Sequence, residues 1–321
     1  MKLLVNNPKG FEIRKWHSER IRSVAEIEIE IAGNNEEFYS HLPSADILMC
    51  NNSNFKKAWL EKASNLKWVH AMAAGVDKIL PDLPENILLS NSRGVHSINI
   101  AEHVLGCMIM HERRLDLCLK AQLKKDWILK GLQLNPPGEL HGKTALIIGL
   151  GKIGSRLAKV LSCIGMNVIG IRSDVSKKSE FVKEIHPIAE LKNQLQKADY
   201  AIVALPYTKK TCHLLGETEF AFMKKTAFFI NIGRGSIVDE QALIKALKEK
   251  KISGAALDVF EKEPLPESSE LWGMDNVIVT PHSAGITPFY MERVVAIFCD
   301  NLKAFIEGGR LPTLVDPKKE Y

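Results

Sequence analysis

Thr144-Ala-Leu-Ile-Ile-Gly-Leu-Gly-Lys-Ile-Gly154 is the stretch that decides the fold. An apolar run with β-branched residues reads as a buried strand, a G-x-G-x-x-G turn follows it, and Ser155–Cys163 continues as a helical pattern. In a strand–turn–helix context each glycine has a mechanical reason: the first allows the tight turn, the second admits a pyrophosphate to the backbone, the third lets helix and strand pack closely. An anion then rests on the positive helix N-terminus. Gly149, Gly151, Lys152, Ile153 and Gly154 are therefore expected to bind a dinucleotide.

Outward from this turn, apolar strand patterns recur at Asn167–Ile171, Tyr200–Leu205, Ala227–Asn231, Gly254–Val259 and Val277–Thr280. With Ala145–Gly149 they make six strands, enough for a complete doubly wound sheet. Before it, Leu3–Val5, Ala25–Ile31, Ile47–Cys50, Trp68–His70 and Ile87–Ser90 alternate with polar segments such as Phe55–Ser64, read as helical. That alternation predicts a second parallel α/β sheet. One long helix is expected from Ile100 to about Lys130, and an amphipathic helix over Tyr290–Glu307 ends at Gly308-Gly309. The predicted division is 1–98, 99–286 and 287–321, with the last part too short to stand alone and returning to the first.

The 321 residues are 45% hydrophobic, so the chain is long and apolar enough to bury two cores without covalent staples. Its 43 basic and 38 acidic residues give a net charge of +5, a mild excess spread along the sequence. Such a balance argues against a nucleic-acid partner and fits small anionic ligands. Six cysteines without a CxxC pair read as reduced thiols, and no metal site is expected. No apolar stretch reaches the roughly 18 residues of a membrane span, and the short apolar start at Met1–Val5 does not resemble an export signal. A cytoplasmic protein is expected.

About twenty residues beyond the glycine turn, a dinucleotide site that prefers NAD places an acid against the ribose 2′-hydroxyl. Here the strand ends in Arg172-Ser173, a guanidinium and a hydroxyl suited to a 2′-phosphate. NADP(H) is thus expected as the preferred cofactor, with NAD(H) possible if Asp174, two residues on, takes the ribose instead. Reducing a 2-keto acid with such a cofactor requires a cation for the carboxylate and ketone, a proton donor, and a group that keeps the donor charged. Arg234, in Asn231-Ile-Gly-Arg-Gly235, offers a forked cation flanked by glycines. His282, in Thr280-Pro-His-Ser-Ala-Gly285, offers the proton, and Glu263, in Asp258-Val-Phe-Glu-Lys-Glu-Pro264, is placed to stabilise its imidazolium. All three follow predicted strands, on the loops where ligands bind in this architecture. The substrate's tail is expected near Asn51–Asn54, Met72, Trp272 or Tyr290.

Several motifs in one order make the sequence resemble the D-2-hydroxyacid dehydrogenase family over nearly its whole length. They are Ala73-Ala-Gly-Val-Asp77, Asn99-Ile-Ala-Glu-His-Val104, the Gly149–Gly154 turn, Leu205-Pro206 with Thr208 and Thr211, Asn231–Gly235 continuing to Asp239, Ala256–Leu265, and Leu271-Trp272 leading to His282. The resemblance implies a Rossmann-type doubly wound parallel sheet inserted into a flavodoxin-like α/β substrate domain. It implies that Arg234, Glu263 and His282 are catalytic, and that Ala74, Gly75 and Val76 grip the substrate carboxylate through backbone N–H groups beside Arg234 and His282. It adds Leu205, Pro206, Thr211, Ile232, Gly233, Arg234, Asp258, His282 and Ala284 to the cofactor contacts already named. Arg172-Ser173 and Leu66–Asp77 point within the family to the NADPH-dependent glyoxylate and hydroxypyruvate reductases, and family habit implies a homodimer formed through the dinucleotide domain. Glu263 argues against formate dehydrogenase, a similar enzyme with glutamine there, and with its end at Tyr321 the chain is expected to lack the regulatory domains of long phosphoglycerate dehydrogenases. The competing reading is a cofactor-sensing corepressor of the same fold, which binds NAD(H) without turnover.

Overall fold

A computed structural model describes residues 1–7 and 12–316. The chain divides into two compact units, Met1–His96 with the segment from Thr287 onward, and Ser97–Ile286.

In the first unit, β1 (Lys2–Asn6), α1 (Lys15–Arg22), β2 (Glu28–Ala32), α2 (Asn35–His41), β3 (Ile47–Cys50), β4 (Trp68–Ala71) and β5 (Leu88–Asn91) build a five-stranded sheet in the order β2-β1-β3-β4-β5. Every pairing is parallel, and the order is the flavodoxin-like one. β3 and β4 are buried throughout because both faces are covered. One face carries the helix Tyr290–Ile306, which sets Val294, Val295, Phe298 and Leu302 against Leu3, Val5, Ile47 and Trp68. The segment Phe55–Ser64, expected to be helical, forms only a 3₁₀ turn at Lys57–Trp59, preceded by another at Asn52–Asn54. Phe55 and Trp59 are drawn into the core beside Phe38, so tertiary packing overrides the local pattern.

The second unit opens with α3 (Ser97–Glu112), α4 (Leu115–Leu123) and α5 (Leu129–Leu134) where one helix was expected. Two breaks divide it, at Arg114 and Lys125, both left-handed with φ of 56°. At the second, Asp126 N–H donates to Ala121 O and Lys125 N–H to Gln122 O. That is the bonding of a Schellman cap with lysine where glycine is usual, which is why the sequence does not announce the stop.

Then follow β6 (Thr144–Ile148), α6 (Lys152–Cys163), β7 (Asn167–Ile171), β8 (Glu184–His186), α7 (Leu191–Leu195), β9 (Tyr200–Val203), α8 (Glu217–Phe222), β10 (Phe228–Asn231), α9 (Glu240–Lys248), β11 (Gly254–Leu257) and β12 (Val277–Val279). The parallel sheet has the order β12-β11-β10-β9-β6-β7-β8, seven strands rather than six. The additional strand, β8, is the three-residue edge strand Glu-Ile-His, without the apolar run that marks the others. Along β6, Leu146 and Ile148 enter one core while Ala145 and Ile147 enter the other, the period of two that a doubly covered strand requires. The order of strands reverses between β6 and β9, so the turn after β6 lies at the switch point where such sheets bind ligands.

Candidate active site

Gly149 has φ of +111°, and a Cβ there would lie 2.7 Å from the Ala204 carbonyl oxygen. At Gly154 a Cβ would lie 1.9 Å from the Gly149 oxygen, whereas nothing lies within 4 Å of one at Gly151. Two glycines are thus needed for packing, and the middle one faces open space. No side chain caps the N-terminus of α6, which buries Gly154, Leu157, Ala158 and Leu161 on one stripe. These features fit a dinucleotide's pyrophosphate, with backbone N–H groups and the helix dipole as its partners.

At the end of β7, Arg172 is half-buried and its Nη1 donates to the Lys177 oxygen at 3.3 Å. Ser173 is exposed beside it. Asp174 is occupied locally: it accepts from the Ser176 hydroxyl at 2.6 Å and from its N–H at 3.2 Å, and pairs with Lys177 at 3.4 Å. The Ser176 hydroxyl, followed by Lys177, holds this carboxyl below its ordinary range.

Three further loops leave the carboxyl ends of β9, β10 and β11. The first carries Leu205, Pro206 and Thr211, and its turn is closed by the Thr208 N–H donating to Thr211 Oγ1 at 2.7 Å and by Thr211 Oγ1 donating to the Pro206 oxygen at 2.9 Å. The second carries Ile232, Gly233 and Arg234. Arg234 is exposed, and its Nη1 donates to the Gly233 oxygen at 2.7 Å. A Cβ on Gly235 would lie 1.9 Å from the Phe260 carbonyl, so this loop and the third lie back to back.

The third loop carries Glu263, and it meets His282, which follows β12. His282 Nδ1 lies 2.7 Å from Glu263 Oε2, while Glu263 Oε1 accepts the Phe260 N–H at 3.0 Å. Burial alone would raise the Glu263 carboxyl; the bonds from His282 and Phe260 and the charges of His282 and Arg234 outweigh it and hold the group low. With Nδ1 engaged by the carboxylate, Nε2 is the ring nitrogen left for a substrate. A cavity of about 430 Å³, bordered by Phe260, Glu263, Leu265, Trp272, Pro281 and His282, adjoins the pair.

His282 itself sits at φ of +51°, a conformation that a non-glycine residue adopts only when its surroundings impose it. Asp258 does so. Buried to 3% exposure, it accepts from Thr280 Oγ1 at 2.7 Å, from Ser283 N–H at 2.8 Å and from Ala284 N–H at 3.1 Å, gripping the loop on both sides of the histidine. The sequence motifs assign Asp258 and Ala284 to the cofactor and do not reveal this grip. A lone acid inside the apolar strand end Ala-Ala-Leu-Asp-Val was the available signal, because a buried carboxylate must find donors.

In the first unit, Ala74 and Gly75 are exposed and Val76 is buried. Asn91 Nδ2 donates to the Ala74 oxygen at 2.7 Å, Ser92 N–H to the Ala73 oxygen at 3.1 Å, and Tyr290 hydroxyl to the Met72 oxygen at 2.8 Å, which fixes the loop by its carbonyls. Met72 itself is fully buried in the core, correcting its expected place beside a substrate's tail. Glu263 and His282 are thus paired in the second unit, with the Arg234 loop packed against the Glu263 loop at Gly235 and Leu205–Thr211 on a neighbouring strand end.

The sequence pattern of the D-isomer specific 2-hydroxyacid dehydrogenase NAD binding domain matches residues 105–284. The chain belongs to this family. Members are oxidoreductases acting on CH–OH donors. The chain is 32% identical over 322 residues to a D-3-phosphoglycerate dehydrogenase of Methanocaldococcus jannaschii, covering 98% of this chain but 59% of that relative's length. It is 35% identical over 290 residues to a glyoxylate reductase of Thermofilum pendens, covering 88% of this chain and 84% of the relative. Among solved structures it is similar to an NADPH-dependent glyoxylate/hydroxypyruvate reductase of Sinorhizobium meliloti in complex with NADP and sulfate, with 25% identity, a TM-score of 0.78, and coverage of 100% and 99% of the two chains.

Proposed function

We propose that this 2-hydroxyacid dehydrogenase reduces a small 2-keto acid of the glyoxylate or hydroxypyruvate kind with NADPH, forming the D-2-hydroxy acid. The observation that carries the reading is the 2.7 Å bond between His282 and Glu263, with Arg234 close enough for its charge to act on the same carboxylate. The Gly149–Gly154 turn would hold the pyrophosphate of NADPH, which when bound would supply the hydride for the ketone carbon. His282 donates a proton from Nε2 to the developing alkoxide, and Glu263 stabilises the imidazolium beforehand. Arg234 holds the carboxylate and polarises the ketone. The backbone N–H groups of Ala74, Gly75 and Val76 are assigned to the substrate carboxylate as well.

Leu205, Pro206, Thr211, Ile232, Gly233, Asp258 and Ala284 form the rest of the proposed nucleotide site. The preference for NADPH over NADH rests on Arg172 and Ser173 at the end of β7, with Asp174 occupied by Ser176 and Lys177. The Sinorhizobium meliloti relative binds NADP, in keeping with this. Replacing Arg172 with Asp is expected to lower the NADPH/NADH ratio of kcat/KM at least tenfold, a loss of about 1.4 kcal/mol of discrimination. An unchanged ratio would remove Arg172 from the site.

A homodimer is proposed through the second unit, where α4 and α5 and the turn between them expose Leu123, Trp127 and Leu134 at 81–87%. Among the described residues no helix is long and apolar enough to cross a membrane. The six cysteines are free, which fits the expected cytoplasmic location. Turnover of 2-keto acids followed at 340 nm separates this reading from a nucleotide-sensing corepressor, which binds without consuming NADPH.

A further inference from the structure

One residue outside the proposed chemistry is bonded to two of the loops that carry it. His213 ends the arm Leu205–Cys212, and its backbone N–H donates to the Ser236 oxygen at 2.9 Å, two residues beyond Arg234. Its ring Nε2 lies 2.9 Å from Glu261 Oε1, two residues before Glu263. Glu261 is in turn locked to Glu240, at the start of α9: Glu240 N–H donates to Glu261 Oε1 at 3.3 Å, and Glu261 N–H donates to Glu240 Oε2 at 3.2 Å. The two carboxylates repel, and burial together with the Glu261 charge raises the Glu240 carboxyl. The imidazole is the polar group that meets this acidic pair from the arm.

His213 has φ of +46°, a left-handed backbone in which glycine would sit without strain. The side chain is therefore present at a conformational cost, and its contact with Glu261 is the interaction that its presence provides.

We propose that His213 is a positioning residue, which through Glu261 and the reciprocal Glu240–Glu261 bonds fixes the spacing of the cofactor arm, the Arg234 loop and the Glu263 loop. The proposal rests on the reductase reading. Hydride transfer is sensitive to such spacing, since a displacement of about 1 Å remote from the chemistry costs up to ~10²-fold in rate.

The test uses the full-length protein with NADPH and glyoxylate or hydroxypyruvate. His213→Gly relieves the left-handed backbone and removes the imidazole, so Tm is expected to hold or rise while KM for NADPH rises about fivefold and kcat falls about tenfold. A residue of merely structural value would not separate activity from Tm in that direction. His213→Gln, which keeps a donor for Glu261, is expected to restore kcat to within about threefold of wild type. Glu261→Ala is expected to match His213→Gly, and the double variant to be no worse than either, because the two act through one contact. A His213→Gly enzyme with kcat and KM within twofold of wild type overturns the proposal alone, as does strict additivity in the double variant. Absence of turnover by wild-type protein overturns the reductase reading and the proposal with it.

Discussion

Two histidines at the carboxyl end of parallel strands, His70 on β4 and His282 after β12, have the same ring and opposite surroundings. His70 is fully buried, with Nδ1 2.7 Å from the Ser90 hydroxyl and Nε2 3.1 Å from the Ser92 hydroxyl, and with Phe298 against its ring. Its partners are neutral hydroxyls, and burial pushes its pKa down to about 3. His282 keeps half of its side chain exposed and meets a carboxylate. A histidine held between alcohols in an apolar core serves as a neutral spacer; one held against an ionised glutamate at a cavity's edge can carry a proton. The company of the ring, rather than its place on the strand, separates structure from chemistry.

The largest effect expected from this contrast is at His282. His282→Gln should leave the protein folded and lower kcat by ~10²–10⁴, whereas His70→Gln should keep kcat per folded molecule within about twofold. Steady-state rates alongside circular dichroism decide it, and a His282→Gln enzyme with normal kcat would erase the distinction.

Glu263→Gln is the second way to sharpen it. The amide retains a partner for the ring but withdraws the charge, so kcat should fall by roughly one to two orders of magnitude. Because the Glu263 carboxyl is held below its ordinary value in the folded state, its stabilising contribution is complete above that value and disappears as pH falls through the folded one. The Tm gap between wild type and Glu263→Gln should therefore be present at neutral pH and close below about pH 4.5. A gap that widens on acidification would contradict the assigned pairing.

The smallest effect concerns His70. A folded-state pKa near 3 against an ordinary 6.5 means that unfolding takes up a proton between those values, so stability is intact above pH 6.5 and erodes on acidification. The slope is that of one proton, about 1.4 kcal/mol per pH unit. His111, stacked on Phe228 and lowered by burial to about 4, adds a similar slope. His70→Gln should flatten the decline of Tm between pH 6 and 4.5 in part, because His111 and His17, both lowered by burial, keep their share; an unchanged slope would mean that His70 is not sealed from water.

The parallel sheets, the glycine turn and the Arg234–Glu263–His282 set were legible because each depends on local pattern: apolar runs for doubly buried strands, glycine spacing for the turn, and chemical type on strand-end loops. What escaped lacked a local sign. The breaks at Arg114 and Lys125 have no glycine, β8 is a three-residue edge strand with the single apolar residue Ile185, and the Phe55–Trp59 region follows its core partners. Asp258 gripping the His282 loop and His213 meeting Glu261 join segments about 25 and 48 residues apart, contacts that only the folded sheet order creates.

The bonds of Asp258 also bear on redesign. They fasten the Thr280 hydroxyl on one side of position 282 and the Ser283 and Ala284 peptide N–H groups on the other, so the mould is independent of the side chain cast in it. Asparagine, which tolerates the left-handed backbone, should keep that mould while removing the acid; a valine there would distort it, and its lost activity would report a collapsed loop rather than a missing proton.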